Sequence, residues 1–169
     1  SGGSLSDFSG SGSSYSATFT PEADSSADAV ISVASGAFSD SSGNSNTDGS
    51  DSNNSLTLTI DTVSPTIAVS SDVASLKAGE TATLTFTLSE SSTNFEADDL
   101  TVSGGTLSNF TGSGSSYSAT FTPSTNSTTD GVISVASSKF SDASGNTNAD
   151  GSEANNSVTL SVDTVRPTI

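Results

Sequence analysis

Residues 81–89 read TATLTFTLS. Ala82, Leu84, Phe86 and Leu88 fall on one side of this run, and Thr81, Thr83, Thr85 and Thr87 on the other. A period of two, with β-branched threonine on the second side, is the pattern of a strand with one face in a core and one in water. The alternation recurs in Tyr117, Ala119 and Phe121 and in Val158, Leu160 and Val162. Shorter apolar sets stand at residues 67–69, 100–102, 107–110 and 132–135. Gly112-Ser113-Gly114-Ser115 lies between two such runs and reads as a hairpin turn. No stretch has a helical period. About seven short strands in roughly 100 residues predict an all-β fold, an immunoglobulin-like β-sandwich of Greek-key type. With no Cys and no Trp in the chain, aliphatic and Phe packing must fill its core.

The sandwich is written more than once. Residues 1–67 overlay residues 103–169 without a gap at an offset of 102, and 47 of the 67 pairs are identical. SGSSYSATFT at residues 11–20 returns letter for letter at 113–122. A period of one domain length predicts a tandem array in which each unit has its own core. The expected division is residues 1–62 as the C-terminal part of one repeat, 63–165 as a complete repeat and 166–169 as the start of another. The first copy has no counterpart of residues 65–102, which hold several of the expected strands. Half a sandwich cannot bury its core. The expectation is that the chain was trimmed from a longer polypeptide, or that a neighbouring molecule supplies those strands.

Lys77, Lys139 and Arg166 face 19 acidic residues, for a net charge of −16. Nucleic acid and anionic membrane surfaces are therefore poor partners, because phosphate binding needs clustered Lys and Arg. Such one-sided charge repels itself in a compact state unless cations neutralise it. The absence of His and Cys removes the commonest acid–base and nucleophile pairs, so no enzyme is expected. Asp98 and Asp99 do not make a catalytic pair either, since adjacent strand residues point to opposite faces. Without Cys there are no disulfides and no thiolate zinc sites. No apolar run approaches the 18 or so residues of a membrane span.

The chemically richest segments are FSDASGNTNADGSEANN at residues 140–156 and FSDSSGNSNTDGSDSNN at residues 38–54. Each contains N-x-N-x-D-G, the oxygen spacing of the first half of a calcium loop. Ser55 and Ser157 stand where such a loop carries a bidentate Glu, so neither is an EF-hand. The candidate ligands here are Asp40, Asn44, Asp48, Asp142, Asn146 and Asp150. A hard cation such as Ca2+ accepts this mixture of carboxylates, amides and carbonyls, and softer metals find no His or Cys. Plain turn chemistry of Asp, Asn and Gly explains the same composition. Spacing alone leaves both readings standing.

Sandwich topology adds residues to the calcium reading. The loop after the second strand and the loop before the last lie at the end where the chain enters. Glu90, Glu96, Asp98 and Asp99 would gather there near Asp142 and Asn146, with Asp61 arriving from the preceding copy. Asp61 and its repeat Asp163 begin the junctions DTVSP and DTVRP, whose Pro stiffens the linker. A cation held by Asp61 and the next top loops would lock that hinge. Asp28 and Asp130, in loops at the opposite end, are candidates for a second site completed by carbonyls.

The junction DTVxPTI at residues 61–67 and 163–169, LKAGET at 76–81, FEADDL at 95–100 and FSDASGN at 140–146 carry a family resemblance. Together they are similar to the bacterial Ig-like extender repeats of giant RTX adhesins, ice-binding and biofilm adhesins among them. The resemblance implies type I secretion, an extracellular place at the cell surface, and calcium ions that rigidify domains and linkers. It places Asp61, Glu90, Asp98, Asp142 and Asn146 near calcium. The expected function is a calcium-rigidified spacer that projects distal ligand-binding domains, with neighbouring repeats of the same polypeptide as partners. The competing expectation is a module that binds sugar, ice or a host protein directly on a Thr-rich strand face.

Overall fold

Along residues 82–88 every second side chain enters the interior. Ala82, Leu84, Phe86 and Leu88 are all buried, and the threonines between them are exposed. This strand belongs to a computed structural model that describes residues 1–47, 52–149 and 154–169. Among the described residues there is no α-helix, and the regular structure is strands and short 3-10 turns. The fold is all-β and immunoglobulin-like, as the alternation predicts. The chain divides into two compact units, Ser1–Val63 and Ser64–Ile169.

In the first unit, β1 (Gly3–Ser11) and β2 (Ser14–Pro21) form an antiparallel hairpin. Its turn passes through Gly12 at φ 63, a left-handed conformation that glycine adopts without steric cost. A second antiparallel pair joins β3 (Ala29–Ser32) to β4 (Ser55–Leu58). Ala29 is the one buried hydrophobic residue among those described in this unit.

The second unit is a sandwich. Its strands are β5 (Ile67–Ser71), β6 (Ser75–Lys77), β7 (Ala82–Ser92), β8 (Leu100–Ser103), β9 (Gly105–Pro123), β10 (Gly131–Val135) and β11 (Ser157–Asp163). One sheet runs β6-β11-β10-β8 and the other β5-β7-β9. All neighbours are antiparallel except β6 and β11, which run parallel. The expected turn at residues 112–115 lies inside β9, which is continuous from Gly105 to Pro123. The chain still reverses there. Gly114 has φ 64, matching Gly12, and the Asn109 side chain meets that of Thr120.

The core of this unit lies between the two sheets and is built from Ile67, Leu84, Phe86, Phe121, Ile133 and Leu160, all at most 1% exposed. Phe95 stands among aromatic edges, with ring centroids 5.1 Å from Tyr117, 5.2 Å from Phe140 and 5.9 Å from Phe86. Edge-to-face geometry of this kind suits the ring quadrupoles and adds about 0.5–1.5 kcal/mol per pair beyond area burial. No Trp or disulfide is needed at the centre. Tyr117 completes this wall by donating its hydroxyl to the Ser92 carbonyl at 2.9 Å.

The two units share local geometry but not burial. Phe140 is 1% exposed and Tyr117 6%, whereas their counterparts Phe38 and Tyr15 are 61% and 57% exposed. Residues 65–102 supply the covering strands in the second unit.

Candidate metal centre

Asp142 sits on the loop that follows Phe140, and a buried asparagine shapes that loop. The Asn148 side chain is 1% exposed. Its Oδ1 accepts the N–H groups of Lys139 at 2.7 Å and Phe140 at 3.1 Å, while Nδ2 donates to the Ala136 carbonyl at 2.9 Å. Burying an amide costs free energy unless its donors and acceptors are met, and here they are. Asn148 therefore serves the turn. Its carbonyl oxygen is engaged by backbone, so this middle position of N-x-N-x-D-G follows the turn reading.

Within that frame Asp142 draws the loop onto itself. Oδ1 accepts the backbone N–H of Ser144 and of Asn146, each at 2.9 Å, and Oδ2 accepts Asn146 Nδ2 at 2.8 Å. Burial pushes the Asp142 carboxyl up, but the hydrogen bonds from Asn146, Ser144 and Gly145 together outweigh it and hold it below the usual aspartate value. Asp142 is thus firmly ionised near neutral pH. The first unit repeats the arrangement, with Asp40 accepting from Ser42 N–H and from both Asn44 N–H and Nδ2, all at 2.9 Å. The Asn44 side chain and backbone lower the Asp40 pKa in the same way. Because Phe38 is exposed and Phe140 buried, this loop shape is set by its own hydrogen bonds rather than by the core.

Glu90 lies near the end of β7, two residues before Ser92. Beyond it Asn94 ties the β7 end to the Asp142 loop, its Oδ1 accepting Ser92 Oγ–H at 2.8 Å and Ser141 N–H at 3.0 Å. Asn94 was not singled out from sequence. No spacing rule marks it, because its partner is 47 residues away.

Within the second unit Glu90 and Asp142 bring carboxylate oxygens within 4.8 Å of one another, with Asp142 buried and Glu90 half-buried. Asp61 also turns back on its own chain, Oδ1 accepting Val63 N–H at 3.3 Å. Like charges this close repel, and a bound cation relieves the repulsion. Calcium holds oxygen ligands at about 2.3–2.6 Å, so one ion can bridge oxygens up to about 5 Å apart. The donors are hard carboxylate oxygens with no nitrogen or sulfur among them, which fits a hard divalent cation. The partly buried pair Glu90 and Asp142 could take part in binding a metal.

The other candidates are placed elsewhere. Asp98 and Asp99 lie in the 3-10 turn Ala97–Asp99, where Asp99 Oδ2 accepts Glu96 N–H at 2.9 Å in a capping box, and neither joins the acidic group. Asn146 reaches the site through Asp142, to which it donates. Asp163 repeats the Asp61 turn, with Oδ1 accepting Val165 N–H at 3.1 Å. Asp130 Oδ1 accepts Val162 N–H at 3.4 Å, and Asp28 is exposed just ahead of β3. Asp48 and Asp150 lie outside the described residues.

The residue after each junction Asp has a role that composition did not signal. Thr164 donates its hydroxyl to the Ser124 carbonyl at 2.7 Å, and the same oxygen accepts Ser127 N–H at 2.8 Å. In the first unit Thr62 donates to the Glu22 carbonyl at 2.7 Å and accepts Ser25 N–H at 3.0 Å. Each departing segment is clasped to a loop of its own unit.

A family model described as a bacterial Ig-like domain matches residues 1–57 and again residues 61–162, so Asp61, Glu90 and Asp142 all fall within the second match. No curated protein and no solved structure matches the chain.

Proposed function

Since the chain belongs to the bacterial Ig-like domain family, we propose that it is a calcium-rigidified spacer of a bacterial surface adhesin. In this reading it is extracellular, non-enzymatic, joined to neighbouring repeats of its own polypeptide, and holds distal ligand-binding domains away from the cell. The close carboxylate pair of the second unit carries the reading. Glu90 and Asp142 would hold the ion, and Asp142 comes from a loop motif that resembles that of extender repeats. The Asp142 loop contributes a carboxylate already ionised and oriented by Asn146, so little order remains to be imposed on binding. Bound calcium supplies the positive charge that this arrangement and the net charge of −16 lack.

Repeats of near-identical sequence also suit a spacer, whose job is length, better than a recognition site. No helix among the described residues is long and apolar enough to cross a membrane. An ion bound only by the folded form adds about 2.7 kcal/mol at 100 times its dissociation constant, a large share of a typical stability of about 5–15 kcal/mol. Calorimetric titration of calcium into the chain, paired with melting curves in calcium and in chelator, tests the reading. Saturable binding with a raised Tm is expected. Identical melting curves and no binding heat at millimolar calcium would remove it.

A further inference from the structure

One residue beyond the last strand, the chain of the second unit is still held. Thr164 is 6% exposed, and its hydroxyl donates to the Ser124 carbonyl at 2.7 Å while accepting the Ser127 N–H at 2.8 Å. Its backbone joins in, the Thr164 N–H donating to the Ser127 carbonyl at 2.9 Å. The receiving loop is itself braced. Ser124 N–H donates to the Gly104 carbonyl at 2.9 Å, Thr129 N–H donates to Ser127 Oγ at 3.0 Å, and Asn126 takes a left-handed turn at φ 58. A buried hydroxyl engaged both as donor and as acceptor is costly to withdraw, because both partners are then left unpaired.

The first unit builds the same clasp. Thr62 donates to the Glu22 carbonyl at 2.7 Å and accepts the Ser25 N–H at 3.0 Å, and its own N–H reaches the Ser25 carbonyl at 2.9 Å. Glu22 stands where the second unit has Ser124, and Asp24, at φ 51, where it has Asn126. The clasp therefore uses backbone atoms of its loop and tolerates a change of side chain there. It also holds although Tyr15 and Phe38 are exposed and their counterparts Tyr117 and Phe140 are buried. Local contacts make it, whatever covers the rest of the unit. Beyond each threonine the chain has little freedom left. Asp61 and Asp163 accept the N–H of Val63 and Val165, and Pro65 and Pro167 have a fixed φ.

We propose that the junction threonine is a hinge stop that works without metal. Its hydroxyl keeps the departing chain part of the unit it leaves, so that linker bending is confined to the two residues between it and the following Pro. Thr62 leaves Val63 and Ser64 to bend, and Thr164 leaves Val165 and Arg166. This goes beyond the spacer reading, in which bound calcium supplies the stiffness, because a clasp of this kind persists in chelator.

The test uses the full 169-residue chain in chelator, read by amide hydrogen exchange and backbone NMR relaxation. In the native chain Thr62 and Thr164 should be as rigid as strand residues, with order parameters of about 0.85. Thr164→Val keeps the shape of the side chain and removes the hydroxyl. It should lower the order parameters of residues 164–166 below about 0.6 and speed exchange of the Ser127 amide at least about tenfold, with β7 and β9 unchanged. Thr164→Ser keeps the hydroxyl and should behave as the native chain does. Thr62→Val should release Val63 and the Ser25 amide in the same way, which keeps the proposal testable if the other Val variant loses its fold. Native threonines already in the flexible range would overturn the proposal. So would unchanged dynamics in both Val variants, or a Ser variant as mobile as the Val one. Calcium titration of the same samples is a separate matter, since a failure to bind removes the metal reading and leaves the clasp standing.

Discussion

Asn148 and Lys139 are joined by a 2.7 Å hydrogen bond from the Lys139 backbone N–H to the buried Asn148 Oδ1. That contact makes the Asp142 loop a prebuilt platform, and the predicted consequences begin there. Asn148→Ala leaves the N–H groups of Lys139 and Phe140 and the Ala136 carbonyl without their partner. Unfolding in urea should show a loss of about 2–4 kcal/mol, since each unsatisfied buried group costs about 1–3 kcal/mol. A loss under about 0.5 kcal/mol would mean that the loop does not depend on this side chain.

Removing charge from the Glu90–Asp142 pair separates metal binding from stability. Glu90→Gln and Asp142→Asn should each abolish most of the calcium-dependent rise in Tm. Differential scanning calorimetry of both variants with and without calcium measures this, and a full calcium response in both would exclude the pair as the site.

Acid should weaken the calcium-free chain partly through Asp142. Its folded pKa lies below the ordinary aspartate value, so the folded form binds a proton less readily than the unfolded one. The stability it contributes is complete above the ordinary range of about 4 and is lost as pH falls through the folded value. Asp142→Asn should flatten that part of a stability-against-pH curve. Parallel curves for the two proteins would show that the loop hydrogen bonds do not favour the ionised form.

The repeat provides its own control for burial. Phe140→Ala should cost about 3–5 kcal/mol, the range for emptying a Phe site in a core. Phe38→Ala, at the equivalent position but 61% exposed, should change the stability of the free chain by no more than about 0.5 kcal/mol. Equal effects in denaturant unfolding would mean that Phe38 is covered in solution.

Ser138 occupies φ 62, where the first copy has Gly36 at φ 76. A non-glycine residue there carries a left-handed penalty of about 1–2 kcal/mol, part of which glycine returns through its freer unfolded chain. Ser138→Gly should raise stability by roughly 0.5–1 kcal/mol. A lower midpoint in urea would contradict the strain argument.

Much of this was legible from residue order. The alternation at residues 82–88 announced its buried and exposed faces because a strand's period is fixed by backbone geometry. Glu90 and Asp142 lie close together in the second unit, and sandwich topology fixes which loops share an end. Other features left no such trace. Asn94, Asn148 and Thr164 act through side-chain contacts to backbone, some of them to residues 37–47 positions away, and polar residues in loops look alike whether they cap, clasp or only meet water. The N-x-N-x-D-G spacing suggested three ligand oxygens in a row, but the fold turns the middle one inward to hold its own turn.

The parallel run of β6 beside β11 has a bearing on how such a chain meets a pull. Traction applied at the two ends of the second unit slides these strands lengthwise past each other. Their hydrogen bonds, together with those of Thr164, are then strained at once and cannot open singly like a zipper. Against such a pull the parallel seam would hold as a block, which a pair of strands opened from one end cannot do.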